Sequence, residues 1–167
     1  LGGTLQIHTR KGRGSTFNLK FPLTLAIIKS LLVKCGGETF ALPVANILET
    51  VDIAPTEIQW VQQQETLLLR DEVIPLYRLQ ELLEMSAEPV KPAAPSPDEP
   101  VLISILICEV GDYHVGLIVQ EVLGQQEIAL KSLDRFLKGI RGYSGATILG
   151  NGKICLVLDI SGLLEDM

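Results

Sequence analysis

The sequence predicts an all-β protein of two small barrels with short helices, preceded by a separate β-hairpin. Short runs rich in Leu, Ile and Val alternate with glycine and proline turn signals, a spacing that is typical of small barrels and sandwiches. Two stretches of the chain resemble each other, which indicates a duplicated unit. Hydrophobic residues make up 47% of the 167 residues and aromatic residues only 5%, so we expect an aliphatic core.

The predicted hairpin lies at residues 1–23. Leu5 and Ile7 alternate with polar residues, and Phe17 begins the same pattern in a second run, so one face of each strand is expected in a core. The two glycines of residues 11–15 supply the positive φ values of a turn. Because a two-stranded ribbon is marginal alone, we expect the hairpin to need a further sheet and to be the least well-supported part of the fold.

The rest of the chain, residues 24–167, reads as strands separated by turn signals. The predicted strands cover residues 26–35, 38–43, 47–52, 65–69, 73–76, 101–110, 113–118, 127–130, 147–149 and 154–158. Short helices are predicted at 79–85 and 160–166, each at the end of one half of the chain, with a further helical turn at 135–137.

The two halves, residues 24–85 and 101–167, are similar to each other. Two pairs of segments show the similarity: 36–44 with 110–119, and 71–83 with 152–164. Each half contains a turn, a strand, a crossover, a strand and a closing helix. We therefore expect two barrels side by side, because closing each sheet removes exposed edges that would aggregate.

Between the halves, residues 86–100 contain five of the nine prolines. Such a stretch cannot form a ladder or bury a face, so we expect an exposed, extended loop that is a tolerated insertion. A recognition site for a proline-binding partner is the alternative.

The composition argues against several classes of function. A net charge of −6 argues against a nucleic-acid partner, and no apolar run approaches the ~20 residues of a membrane span. Cys35, Cys108 and Cys155 lack metal-ligand spacing and are expected to be buried, reduced thiols, which fits a reducing cytosol.

No catalytic constellation is visible in the sequence. No serine lies in a nucleophile elbow, and no carboxylate pair has metal-ligand neighbours, so we predict no catalytic and no metal-binding residues. His8 and His114 are expected to be surface or half-buried strand residues.

The hairpin resembles the end of sensor histidine kinase ATP-binding domains. The resemblance rests on the glycine pair at 2–3, Gly-Arg-Gly-Ser-Thr-Phe at 12–17 and Pro-Leu at 22–23. Followed directly by Thr-Leu-Ala-Ile-Ile at 24–28, it is specifically similar to the chemotaxis kinase family CheA. In that family an SH3-like regulatory domain related to CheW follows without a gap.

This resemblance covers the whole chain and implies a C-terminal CheA fragment: a kinase tail at 1–23 and a CheW-like domain at 24–167. Thr16 matches a position near the nucleotide in intact kinases. The asparagine-bearing helix and Asp-x-Gly-x-Gly segment of those domains are absent from the sequence. ATP and magnesium are therefore expected only in the parent kinase, and no cofactor in this chain.

Resemblance to CheW also marks a candidate partner-binding surface. Residues 47–51 are similar to the CheW segment that bears a receptor-contacting apolar residue and acid, which points to Ile47 and Glu49. Arg70 matches the arginine of a Leu-Arg-Gly signature that contributes to the same surface, with Asp71 in place of the glycine. Alternatively, Ile47 belongs to the core, and Glu49 and Arg70 form an exposed pair worth under ~1 kcal/mol.

Two aromatic residues complete the candidate set. Tyr143 lies in a glycine-rich run at 139–150 that resembles the corresponding run of the family, and it is a candidate interface residue. Trp60 is the only tryptophan, and we expect it to be partly buried rather than an interface hot spot.

The resemblance implies a regulatory, coupling domain in two-component signal transduction. Its expected partners are the coupling protein CheW, chemoreceptor signalling tips and its own kinase core, in the cytoplasm at receptor arrays, without membrane insertion. Two alternatives are a free-standing CheW-type adaptor or SH3-like protein-binding module, and an enzyme that retains nucleotide hydrolysis or phosphotransfer.

Overall fold

The computed structural model describes residues 4–20, 26–85, 101–131 and 142–165. These residues form strands almost throughout, with two short α-helices, so the predicted all-β class is confirmed. The predicted loop at 86–100 and helical turn at 135–137 lie outside the described residues.

The hairpin consists of β1 (Thr4–Arg10) and β2 (Gly14–Lys20), paired antiparallel. Its turn places Gly12 at φ +76° and Gly14 at φ +95°, backbone values that favour glycine. One face of this ribbon is apolar and more than half exposed: Leu5, Ile7, Phe17 and Leu19. The predicted alternation is present, but no described residue covers the face that was expected in a core.

The first half contains six strands and a helix. They are β3 (Ala26–Cys35), β4 (Glu38–Pro43), β5 (Ile47–Ile53), β6 (Ile58–Val61), β7 (Gln64–Leu69), β8 (Glu72–Arg78) and α1 (Leu79–Leu82). Short 3₁₀ turns at Val44–Asn46 and Pro55–Glu57 precede β5 and β6. β6 was missed by the sequence prediction, and α1 is shorter than predicted.

In the described residues, the second half contains five strands and also ends in a helix. It contains β9 (Ile103–Val110), β10 (Tyr113–Val119), β11 (Glu121–Leu130), β12 (Tyr143–Ile148), β13 (Ile154–Leu158) and α2 (Ile160–Leu164). β11 begins six residues before the prediction, and β12 begins four residues before it.

The two halves exchange hairpins. In the six-stranded sheet the order is β5-β9-β10-β8-β7-β6, and in the five-stranded sheet it is β11-β3-β4-β13-β12. The β9–β10 hairpin of the second half therefore lies between β5 and β8 of the first, and the β3–β4 hairpin lies between β11 and β13. The parallel pairs β8–β10 and β4–β13 join the halves. Neither half builds a sheet from its own strands alone.

Neither sheet closes fully through strand ladders in the described residues, although we expected closure to remove the edges. The five-stranded sheet comes nearest, because Lys131, directly after β11, forms a two-hydrogen-bond bridge to Ala146 of β12, at 2.8 and 3.0 Å. Gly145 permits this approach, since an added Cβ would lie 2.8 Å from the Lys131 carbonyl oxygen.

Three apolar clusters hold the sheets together. One lies within the six-stranded sheet and includes Leu67, Ile74 and Ile105. Another lies within the five-stranded sheet and includes Ile128 and Val157. The largest lies between the sheets and is formed by residues of both: Val33, Cys35, Phe40, Leu42, Leu79, Leu106, Cys108, Val110, Val115, Leu117, Val119, Leu158, Ile160 and Leu164. As predicted, this core is mainly aliphatic.

Candidate partner-binding surface

Two of the residues predicted from the sequence come together on the six-stranded sheet. Arg70 Nη2 donates a hydrogen bond to Glu49 Oε2 at 2.9 Å. Arg70 is in the turn between β7 and β8, whereas Glu49 is on the edge strand β5. The Arg70 side chain is 77% exposed, so the pair is screened by water and contributes under ~1 kcal/mol to stability. The Glu49–Arg70 pair therefore forms a charged, accessible surface and adds little to the stability of the fold.

The turn that carries Arg70 has an unusual backbone for its residues. Arg70 and Asp71 have φ values of +48° and +67°, as the two central residues of a type I′ hairpin turn require. Asp tolerates this region better than most residues other than glycine, so it can replace the glycine that the resemblance implies at this position. The turn is thus formed without glycine, and Arg70 is directed at β5.

Ile47 is half-buried and packs against the core between the sheets. It pairs with Cys108 of β9, and the register then slips before Glu49, which leaves Leu48 in a bulge. Leu48 is exposed and lies between the two predicted residues. Regular alternation gave no indication of this bulge, so sequence reasoning selected Ile47 and missed Leu48.

Tyr143 lies on the other sheet, at the start of β12, and is not brought to the Glu49–Arg70 surface. It is half-buried, pairs with Leu158, and packs against the core between the sheets. Burial raises the pKa of the Tyr143 hydroxyl.

The expectation that Trp60 is partly buried is wrong. The residue is 67% exposed, because β6 is the last strand of its sheet and no described residue covers it. Trp60 is therefore available as a contact residue.

Two exposed apolar pairs occupy equivalent positions in the two halves. Leu68 and Val73 face each other across β7 and β8, and Ile148 and Ile154 face each other across β12 and β13. Val73 is 60% exposed and Ile154 75% exposed, although each is followed directly by a core residue of its strand. The segments that contain Val73 and Ile154 were aligned from the sequence, but the cross-strand pairs were not identified there.

The potential reactive groups are buried or surface-paired. Cys35, Cys108 and Cys155 are free and buried, as predicted. Burial raises the pKa of Cys108 to about 12 and those of Cys35 and Cys155 to about 11, so all three remain thiols near neutral pH. His114 is half-buried and lies 2.9 Å from Glu72 Oε1.

Three further features of the described ranges concern metal ligands, the position of Thr16 and helix length. Within them, no group of three or more His, Cys, Asp or Glu side chains is arranged to hold a metal ion. Thr16 is exposed on β2, where it pairs with His8. No helix in the described part of the chain is long and apolar enough to cross a membrane.

The fold and these surfaces can be compared with known proteins. The family model named CheW-like domain matches residues 29–167 of this sequence. The chain belongs to the CheW-like domain family. Its relatives carry out chemotaxis signalling, and at the level of the family this domain has a coupling role in that signalling.

The sequence similarity to individual relatives also includes residues of the hairpin. The chain is 39% identical over 165 residues to the sensor histidine kinase CheAY of Helicobacter pylori. This alignment covers 99% of this chain and 20% of that protein. It is 35% identical over 164 residues to the chemotaxis protein CheA of Bacillus subtilis. This second alignment covers 98% of this chain and 23% of that protein. The chain thus spans about a fifth of the length of these relatives.

Among solved structures, the chain resembles the scaffolding protein CheW of Thermoanaerobacter tengcongensis. The TM-score is 0.65 at 18% identity, covering 83% of this chain and 93% of the other. This likeness shows that the CheW-like chain shares the fold of a CheW protein.

Proposed function

We propose that this chain is the C-terminal part of a CheA-type chemotaxis histidine kinase and works there as the regulatory, coupling domain. It binds the coupling protein CheW and chemoreceptor signalling tips, and it passes the receptor state to the kinase core in two-component signalling. The similarity to CheA proteins supports this, because it extends over 98–99% of the chain and therefore includes hairpin residues outside the CheW-like domain.

The observation that carries the proposal is the pair of exposed apolar patches on the two halves. A surface isoleucine or valine is unremarkable singly, but apolar cross-strand pairs at equivalent positions give each sheet a small docking surface. Val73 and Ile154 are the most exposed members of these pairs. We assign these patches to contacts with CheW, since a duplicated protein can join two neighbours in an array through two similar surfaces.

The Glu49–Arg70 pair supports a separate contact with receptor tips. It presents both signs of charge next to exposed Leu48, and exposed charges of this kind determine partner choice and association rate more than stability. Ile47 supports this surface from the core side, and Tyr143 remains a candidate contact on the other sheet.

In this proposal the hairpin belongs to the sheet of the kinase's ATP-binding domain, which covers its apolar face. ATP and magnesium bind in that domain, and Thr16 lies near the nucleotide only there. The chain itself holds no cofactor and catalyses no phosphotransfer. It acts in the cytoplasm, at receptor arrays on the inner face of the membrane.

The CheW contact is tested by titrating the purified chain with CheW in a calorimeter. Val73→Asp and Ile154→Asp should each weaken binding, because each places a charge at the centre of an apolar patch. Leu123→Asp is the matched control, since Leu123 is an exposed apolar residue on β11, away from both pairs. Equal affinity for all three variants would show that these patches are not the CheW contacts.

A free-standing adaptor is the second candidate, and the likeness to a scaffolding CheW supports it. Immunoblotting of the source cells with an antibody against this chain separates the two. A band at 18.2 kDa would favour an adaptor, whereas a band several times larger would favour the kinase. Nucleotide titration of the chain tests the enzyme alternative, which clear micromolar ATP binding would revive.

A further inference from the structure

Among the described residues, β6 is an edge strand without the usual protections against strand pairing. Charged side chains and bulges normally block such pairing. The other edge strands of the two larger sheets have these devices: β5 has a bulge beside Glu49, β11 has a bulge and two glutamates, and β12 has a bulge and the bridge to Lys131. The four residues of β6, Ile58–Val61, are uncharged and pair with β7 in an unbroken register.

The backbone of Trp60 faces this open edge. β6 and β7 are joined by a two-residue turn in which Gln62 and Gln63 have φ values of +47° and +71°. The pair that flanks such a turn is hydrogen-bonded, and pairs then alternate along the hairpin. Trp60 and Glu65 form the next pair, so the Trp60 N–H and C=O are directed away from β7. The neighbouring Gln59 carbonyl faces β7, where it accepts a hydrogen bond from Thr66 Oγ1 at 3.1 Å.

A recess of about 300 Å³ lies beside Trp60. Arg78 lies in it but is occupied by a bidentate ion pair with Glu65, at 2.7 and 3.1 Å. Glu81, on α1, lies 4.0 Å from the same guanidinium and is largely exposed. The two carboxylates of Glu65 and Glu81 exceed the single positive charge of Arg78, and the indole ring of Trp60 is accessible beside them. This combination attracts a further cation.

The part of the sequence that contributes this recess is strongly acidic. Residues 36–85 contain nine carboxylates and two arginines. The whole chain has a net charge of −6. Both arginines are paired, Arg70 with Glu49 and Arg78 with Glu65. A positively charged segment is thus attracted to this part of the surface, and a negatively charged one is repelled.

We propose that β6 accepts an extended, basic segment of a partner protein as an added strand. The main chain of that segment pairs with Trp60, and its alternate side chains fall on opposite faces. Lysine or arginine side chains on one face enter the recess against Trp60 and Glu81. Apolar side chains on the other face pack on Val61, which is half exposed. This site does not depend on the function proposed above.

The test uses a short synthetic peptide of alternating lysine and valine. Trp60 is the only tryptophan, so its emission reports directly on this site. Binding should shift the emission to shorter wavelength in a saturable way, because the added strand removes the indole from water. A peptide with the same side chains but methylated amide nitrogens keeps its charge and cannot pair as a strand. It should bind about tenfold more weakly, a loss of ~1.4 kcal/mol; equal binding would overturn strand addition.

Variants locate the site, with binding measured by calorimetry. Val61→Lys places a like charge on the edge and should weaken peptide binding about tenfold, whereas Thr50→Lys on β5 adds the same charge to the other edge and should not. Circular dichroism checks that both variants fold. Equal losses would mean that overall charge, not the β6 edge, attracts the peptide. Self-association in gel filtration that the peptide fails to reverse would mean that a second copy occupies β6, which contradicts the proposal.

Discussion

Gly116 lies where strands from the two halves pair in parallel, β10 beside β8, and we predict that any side chain there is costly. It is paired with Leu76, and an added β-carbon would overlap Leu76 Cδ2 and lie 3.0 Å from Ile105 Cγ2. Leu76 and Ile105 are almost completely buried, so neither can move into free space. Overpacking of this kind costs about 1–3 kcal/mol.

Gly116→Ala should therefore lower the melting temperature by roughly 2–12 °C, since 1 kcal/mol corresponds to ~2–4 °C in a domain of this size. Thermal denaturation and urea titration both measure the loss. Gly150→Ala is the matched control, because nothing lies within 4 Å of a β-carbon at Gly150 and its backbone is not in the left-handed region. This control should be neutral or slightly stabilising.

A double mutant tests the stated cause. Leu76→Val removes the methyl group that the new β-carbon meets, so Gly116→Ala should cost less in that background, with a coupling of about 0.5–3 kcal/mol. The reasoning is refuted if Gly116→Ala costs no more than Gly150→Ala, or if its penalty is unchanged beside Val at position 76.

Two further predictions concern charge and ionisation. Arg70→Glu should weaken binding to CheW or a receptor tip in a titration while the melting temperature changes by only a few degrees, because it replaces an exposed ion pair by a like-charge pair; unfolding would show that Arg70 is structural. The buried thiols should lower stability in alkali. Their pKa values are raised from 9.0 to about 11 for Cys35 and about 12 for Cys108, so above pH 9 the unfolded chain releases protons that the folded chain retains. The urea midpoint should fall as the pH rises through that range, less steeply in Cys108→Ala, and an identical slope would contradict the assignment.

Strand positions were predictable from the sequence where burial is periodic. The bounds of β3, β4 and β13 match the prediction. Each of these strands has turn residues beside it, and its apolar residues either alternate with polar ones or form a continuous buried run. β6 was missed since Ile58–Val61 lies in a polar stretch, pairs with β7 alone among the described strands, and packs only Ile58 against an apolar cluster of the described residues. Local patterning carries no information about such an exposed edge strand.

The exchange of hairpins between the halves could not be derived from the sequence either. Periodicity shows which face of a strand is buried, but not which distant strand lies beside it. For the candidate surface, resemblance identified Glu49 and Arg70, and the structure places them in contact. Leu48 was missed because its exposure arises from a bulge, and Trp60 was misjudged because tryptophan is on average a largely buried residue.

The hairpin exchange also has a consequence for the origin of the fold. Each half receives two central strands from the other, so the protein has the architecture of a domain-swapped dimer carried in one polypeptide. An ancestral single half would have reached the same arrangement only by associating with a second copy. In a single polypeptide that partner is permanent, and the two halves carry different side chains at equivalent positions, such as Val73 in one and Ile154 in the other.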